Sequence, residues 1–179
     1  MTSLAPVLEA FFTRRLLGQR QASPNTIAAY RDAFRLLLQY VRQETGKDPQ
    51  NLHLEDLDAS LIGGYLSWLE TGRASSIQTR NARLAAIRAL FRYASFDYPE
   101  HAELIQRVLA IPAKRSDKAI VTYLTEAETN DLLTAPDATT WRGRRDRTLL
   151  LIAVVTGLRV SELINLTAAD LHLDAGAYL

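Results

Sequence analysis

The chain has 179 residues, of which 47% are apolar and 23% charged, with a net charge of +1; this is the balance expected of a globular protein able to bury about two thirds of its unfolded surface. It contains no cysteine, which excludes a disulfide framework, a thiolate zinc site and a cysteine nucleophile and suits a reducing cytoplasm. Its charge is uneven: residues 1–118 carry 16 Lys and Arg against 12 Asp and Glu, whereas residues 119–179 carry 5 against 8, so a polyanionic partner is expected for the first part if for either.

Nearly every segment reads as helix. Leu4, Leu8, Phe11, Phe12 and Leu16 share one side of a predicted helix over 5–17, which Gly18 ends. The stretch before it lacks a basic n-region and a continuous apolar run, so it does not read as a signal peptide. Ser23 is a natural N-cap, with Pro24 at the first helical position, where its missing N–H costs nothing. Ile27, Tyr30, Phe34, Leu37, Leu38 and Val41 then recur at helical spacing until Gly46 and Pro49. Asp58 caps a third helix carrying Leu61, Ile62, Tyr65, Leu66 and Leu69. Its Gly63-Gly64 pair weakens it by about 1 kcal/mol per glycine, which points to close approach of another helix. A fourth helix is predicted over 76–94, with Ile77, Leu84, Ile87, Leu90 and Phe91 as its apolar arc, and a short fifth over 100–109.

Residues 112–122, which open Pro112-Ala113-Lys114-Arg115-Ser116-Asp117-Lys118, read as a basic linker between domains at 1–111 and 123–179. Thr125 and Glu128 form a capping box for a helix ending near Thr134. Residues 142–156 make a longer helix. Its second half, 149–155, is apolar all round, so burial is expected, and it is far too short to span a bilayer. Gly157 is the expected C-cap, followed by a short helix over 160–166. Residues 172–179 read as the start of a strand or hairpin.

Three features point to chemistry. The fourth helix has a second stripe at i, i+3, i+4 spacing, Gln78, Asn81, Ala85, Arg88 and Arg92, which contains no acid. Arginine and amide groups suit phosphate oxygens and base edges, and the alanine permits close approach. Arg80 and Arg83 lie nearer the apolar arc and reach past its rim. The second helix carries Arg31, Arg35 and Arg42, with Asp32 nearby. A solvated helix face remains the alternative. Lys114, Arg115 and Lys118 form a basic cluster suited to tracking a phosphate backbone, or simply a solvated linker. Arg142, Arg144, Arg145 and Arg147 read as structural, with Asp146 as a partner. Arg159 follows a helix-ending glycine and opens the next helix, where free N–H groups favour an anion. Its guanidinium can grip two phosphate oxygens, with Glu162 orienting it; a surface ion pair of the two is the plainer alternative. The three histidines, His53, His101 and His172, have no ligand spacing, so no metal site is expected.

These pieces together resemble the tyrosine recombinase and phage integrase family, in its Xer-like branch. Ser23-Pro24-Asn25-Thr26-Ile27-Ala28-Ala29-Tyr30 with Phe34 resembles the opening of its SAM-like core-binding domain. The run from Arg83 to Tyr93 is similar to that domain's last long helix. Leu124-Thr125-Glu126-Ala127-Glu128 is similar to the start of the catalytic domain. Thr156-Gly157-Leu158-Arg159-Val160-Ser161-Glu162-Leu163, followed by Asp170, resembles the box around the family's first catalytic arginine. The resemblance implies a mainly α chain: a helical-bundle core-binding domain, then the first helices of a truncated mixed α/β catalytic domain. It implies Arg159 as a catalytic arginine and Glu162 as its supporting acid. Thr26, Arg31, Arg35, Gln78, Arg80, Asn81, Arg88, Arg92, Lys114, Arg115 and Lys118 become the expected DNA contacts. It further implies double-stranded DNA and other recombinase protomers as partners, no membrane, no metal or nucleotide cofactor, and a cytoplasmic location. The family's lysine hairpin, His-x-x-Arg box and nucleophilic tyrosine are not found, and Tyr178 precedes them in family order. The expectation is therefore a chain that binds DNA without cutting it; the alternative is a non-catalytic or interfering module derived from a recombinase.

Overall fold

Phe11 is the hub around which the first part of the chain is organised. Its ring stacks on Tyr30 at 6.2 Å between centroids, meets Phe34 edge-on at 6.0 Å and leans on Tyr93 at 5.8 Å. One aromatic from the first helix thereby meets three later ones, in stacked, edge-to-face and tilted arrangements. The computed structural model describes residues 1–116 and 122–170, and the chain divides into two compact units, Met1–Lys118 and Ala119–Leu179. The chain is mainly α-helical, and among the described residues there is no strand, only an isolated antiparallel bridge between Ser3 and His53.

Among the described residues, the first unit has five helices of seven residues or more, beside short 3-10 turns. Helix α1 starts as α-helix at Leu4–Ala10 and continues as a π-helical stretch at Phe11–Gln19. The expected single α-helix over 5–17 is thus corrected. Its last turns widen, with the Arg20 N–H donating to the Arg15 carbonyl and that of Ala22 to Leu16. Helix α2 spans Pro24–Thr45. The Ser23 hydroxyl accepts from the Thr26 N–H at 3.2 Å, and Gly46 closes the helix at φ +70°. Helix α3, Ala59–Thr71, is capped by Asp58, which accepts from the Leu61 N–H at 2.7 Å. Helix α4, Ile77–Asp97, is capped by Ser76 and runs three residues further than its periodicity predicts. Helix α5 is Ala102–Ala110.

Leu4, Val7 and Leu16 of α1, Leu37 and Val41 of α2, Ile62, Tyr65, Leu66 and Leu69 of α3, Leu84, Ile87, Leu90 and Phe91 of α4, and Ile105 and Val108 of α5 form one buried core. Of the two glycines of α3, only Gly64 answers to a close approach. A Cβ there would lie 2.7 Å from the Tyr40 hydroxyl of α2, whereas one on Gly63 would meet nothing. The chain start is tied to the loop after α2 by the Leu4 N–H to the Leu52 carbonyl at 2.9 Å and the Leu54 N–H to the Thr2 carbonyl at 2.8 Å.

The second unit has three described helices: α6 at Glu126–Thr134, α7 at Trp141–Thr156 and α8 at Val160–Leu163. The Thr125–Glu128 capping box is formed from both sides, at 2.8 and 3.3 Å. Gly143 is the one buried residue of α7, since a Cβ there would collide with the Asp137 carbonyl oxygen. The expected burial of 149–155 is overturned. Leu149, Leu151, Val154 and Val155 keep 38, 49, 46 and 74% of their surface exposed. Apolar character all round a helix measures what would have to be covered, and among the described residues these four are left uncovered. Residues 172–179, read from sequence as a strand or hairpin start, lie outside the described residues, as do Lys118, His172 and Tyr178. No described helix is long and apolar enough to cross a membrane.

Candidate nucleic-acid interface and phosphate clamp

Helix α4 sorts its polar residues into two groups. Gln78, Ala85 and Arg92 lie exposed along its outer side. Arg80, Asn81 and Arg88 turn toward the chain that follows α5 and hold it. The Arg80 guanidinium is buried at 7% exposure and pairs with Glu70 of α3, Nε to Oε1 at 3.2 Å. Its Nη1 also donates to the Asn81 Oδ1 at 3.0 Å and to the Pro112 carbonyl at 3.2 Å. Asn81 grips the backbone of Lys114 from both ends of its amide: Nδ2 donates to the carbonyl at 2.7 Å, and Oδ1 accepts from the N–H at 3.0 Å. Arg88 donates to the Ile111 carbonyl. The Lys114 ammonium donates to the Glu70 Oε2 at 2.8 Å.

Chain Ile111–Lys114 is therefore latched onto α3 and α4 by side chains that satisfy its backbone groups, part-buried at the Ile111 and Pro112 carbonyls and at the surface at Lys114. The hydrogen bond from Lys114 holds the Glu70 carboxyl below the usual glutamate range, and the charges of Lys114 and Arg80 act in the same direction. Glu70 is the residue that sequence reasoning missed. It lies on a different helix, ten residues before Arg80, and nothing in the local pattern marks it as the acid that joins Arg80 to Lys114.

Helix α2 presents Arg31 and Arg35 outward. Arg35 faces Asp32 at 3.7 Å across an exposed pair, a contact worth at most about 1 kcal/mol. Thr26 is half-buried at the helix start, its hydroxyl 3.0 Å from that of Ser23. Arg115 is exposed.

In the second unit, Gly157 ends α7 at φ +67°, with its N–H on the Ala153 carbonyl at 3.0 Å. The left-handed turn sets Arg159 in extended backbone as the N-cap of α8. The Glu162 carboxylate accepts from the Arg159 backbone N–H at 2.7 Å and from its Nη1 at 3.2 Å. The acid so occupies the first turn of α8 and fixes the root and the head of the arginine together. The guanidinium is 83% exposed, leaving its remaining donors open to solvent. Of the arginines at the start of α7, Arg145 pairs with Asp146 at 2.7 Å, and Arg144 donates to the Ala138 and Thr139 carbonyls at 3.3 and 3.0 Å.

Known families account for both units in the same order. Residues 10–95 match the phage integrase N-terminal SAM-like domain, and residues 122–179 match the phage integrase family. The chain belongs to the phage integrase family, the tyrosine recombinases. Two Sinorhizobium fredii proteins, y4rC and y4rD, whose names call them integrase/recombinase, are 52% and 48% identical to it over 99% and 96% of this chain, covering 53% and 61% of their own lengths. Tyrosine recombinase XerC of Pelotomaculum thermopropionicum is 31% identical over 88% of this chain and 50% of its own. The chain thus spans about half the length of these relatives. No solved structure matches it.

Proposed function

We propose that this chain is the DNA-gripping portion of a site-specific DNA recombinase or integrase, acting on double-stranded DNA in company with other recombinase protomers. The outer sides of α2 and α4, through Arg31, Arg35, Gln78 and Arg92, take phosphates and base edges, with Thr26 at the start of α2. Arg80, Asn81 and Arg88 act one step back, holding the linker start so that Lys114 and Arg115 leave α4 in a defined direction. Arg159, held by Glu162, clamps the scissile phosphate. Removing a preorganised donor of this kind from an active site costs about 10²–10³ in rate.

The observation that carries the reading is the Arg159–Glu162 pair. A carboxylate that ties both backbone and guanidinium of a solvent-facing arginine makes a fixed donor of a long side chain, which is what a phosphate clamp requires. The 179 residues by themselves are proposed to bind DNA and not to cut it. Incubation with a nicked suicide duplex should give retention on a gel without a covalent protein–DNA adduct; an adduct would overturn the second half of the proposal. Affinity should fall with salt on a log–log plot in proportion to the phosphates neutralised. A salt-independent affinity would remove α2 and α4 as the contact surface.

A further inference from the structure

We propose that Arg15, Arg20 and Arg92 form a phosphate site of their own, a cleft between α1 and α4 that takes a phosphodiester of the DNA backbone. The proposal rests on the DNA-binding reading above and extends the grip of α4 onto the N-terminal helix. The cleft, about 130 Å³, is lined by Phe11, Arg15, Arg20, Ala89, Arg92 and Tyr93. No carboxylate lines it.

The π-helical stretch builds this site. In an α-helix residues five apart are rotated by about 140° from one another, so Arg15 and Arg20 would face different ways. Here the Arg20 N–H donates to the Arg15 carbonyl at 2.9 Å, a five-residue turn that sets one arginine over the other. Such turns are rare and are frequent at functional sites. The floor is rigid: Phe11 is 1% exposed and Tyr93 9%, and their rings are 5.8 Å apart.

Charge supplies the independent argument. Among the described residues, the arginines of the first unit that form ion pairs are Arg35, Arg42, Arg80 and Arg107, and no ion pair engages Arg15, Arg20 or Arg92. Arg15 is steadied only by a neutral acceptor, the Gln19 Oε1 at 2.9 Å. Asp97, in the adjoining groove with Arg14 and Arg15, forms no ion pair with either among the described residues. Three cations gathered from two helices with no ion-paired acid among them repel one another, and an anion with several oxygens removes that repulsion while offering arginine its bidentate geometry. Arg92 also lies on the exposed side of α4 with Gln78 and Ala85, so a backbone following that helix passes the cleft.

The test uses the full 179-residue chain and a labelled 30-base-pair duplex of arbitrary sequence, because phosphate contacts are sequence-independent. Titrations across a salt series should show the slope of log affinity against log salt falling by about 0.9 for each phosphate that is no longer neutralised, hence by about 1 in the Arg15→Gln/Arg20→Gln double variant. The loss of affinity should be equal on unrelated duplexes. Arg31→Gln/Arg35→Gln, on α2, serves as the parallel variant. An unchanged slope in R15Q/R20Q beside a lowered one in R31Q/R35Q overturns the cleft and leaves the DNA-binding reading standing. Failure of the parent chain to bind the duplex overturns both. If the double variant melts early by circular dichroism, Arg20→Gln alone carries the test, because that side chain is exposed, and the same slope decides.

Discussion

The two units use similar helices and end up with opposite interiors. In Met1–Lys118 the apolar arcs of five helices close on one another, and Leu37, Tyr65, Leu84, Leu90 and Phe91 lose essentially all exposure. In the described part of Ala119–Leu179, Gly143 is the one buried residue within a helix, while Leu151, Val155, Val160 and Ile164 remain open at 49, 74, 74 and 72%. The local rules are obeyed equally well in both: Ser23, Asp58 and Ser76 cap their helices as Thr125 and Thr140 cap theirs. Capping decides where a helix starts. Burial of its apolar face supplies most of the stability that keeps it helical.

The largest expected effect tests that contrast directly. Phe91→Ala should cost about 3–5 kcal/mol in urea unfolding, whereas Leu151→Ala should stay within about 0.5 kcal/mol, as surface changes do. Equal costs would show that the second unit has an interior of its own. Amide exchange should follow the same division. Protection in α2–α4 is expected to approach the global unfolding free energy, and α6–α8 should exchange by local opening; uniform protection would break the comparison.

A smaller effect belongs to the latch. Asn81→Ala removes two surface hydrogen bonds to Lys114 and should cost about 0.5–1 kcal/mol, mostly by freeing the chain locally. Trypsin should then cut after Lys114 and Arg115 faster than in the parent, with the melting of α1–α4 little changed. Cleavage at the parent rate would show that the amide does not hold the chain. Asn81→Asp, which keeps the acceptor for the Lys114 N–H, should fall between the two.

The latch also carries a pH dependence. Glu70 titrates below its ordinary value of 4.5, chiefly through its hydrogen bond from Lys114. A depressed carboxylate stabilises the fold above its unfolded-state pKa and loses that contribution as pH falls through the lower folded value. The parent should therefore lose more stability between pH 6 and 3 than Glu70→Gln does, and parallel curves would count against the Glu70–Lys114–Arg80 arrangement. The smallest effect is expected at Glu162→Gln. That pair is exposed on both sides, so the stability change should lie below about 1 kcal/mol.

What could be read from sequence was what is decided locally. Helix starts at Ser23, Asp58, Ser76 and Thr125, and the left-handed stop at Gly157, follow from side chains within three or four residues of the backbone groups they satisfy. The family itself was legible because the arginine box and the helical domain occur in a fixed order. The pairing of Arg159 with Glu162 was legible too, since three residues is one turn. The latch was not: Glu70, Arg80 and Lys114 are brought together by packing, and α-helical periodicity makes Asn81 and Arg88 look like outward donors and leaves Arg80 at the rim of the apolar arc. The widened turn of α1 was invisible for a related reason. A 3.6-residue period fits Leu8, Phe11, Phe12 and Leu16 well enough to hide it. The exposure of 149–155 could not be read from a pattern that says only how apolar a segment is.

That widened turn has a consequence for how the chain tolerates changes in its length. A turn closed by five-residue hydrogen bonds holds roughly one residue more than an α-turn. Deleting a single residue between Arg15 and Arg20 would let the helix tighten to α geometry, and the two arginines would then stand four apart, about 40° round the helix from one another. The shorter chain would have the better helix and keep its two arginines on one side. Tightening to α geometry at full length would instead set them about 140° apart, so their alignment depends on the match between the width of the turn and the number of residues in it.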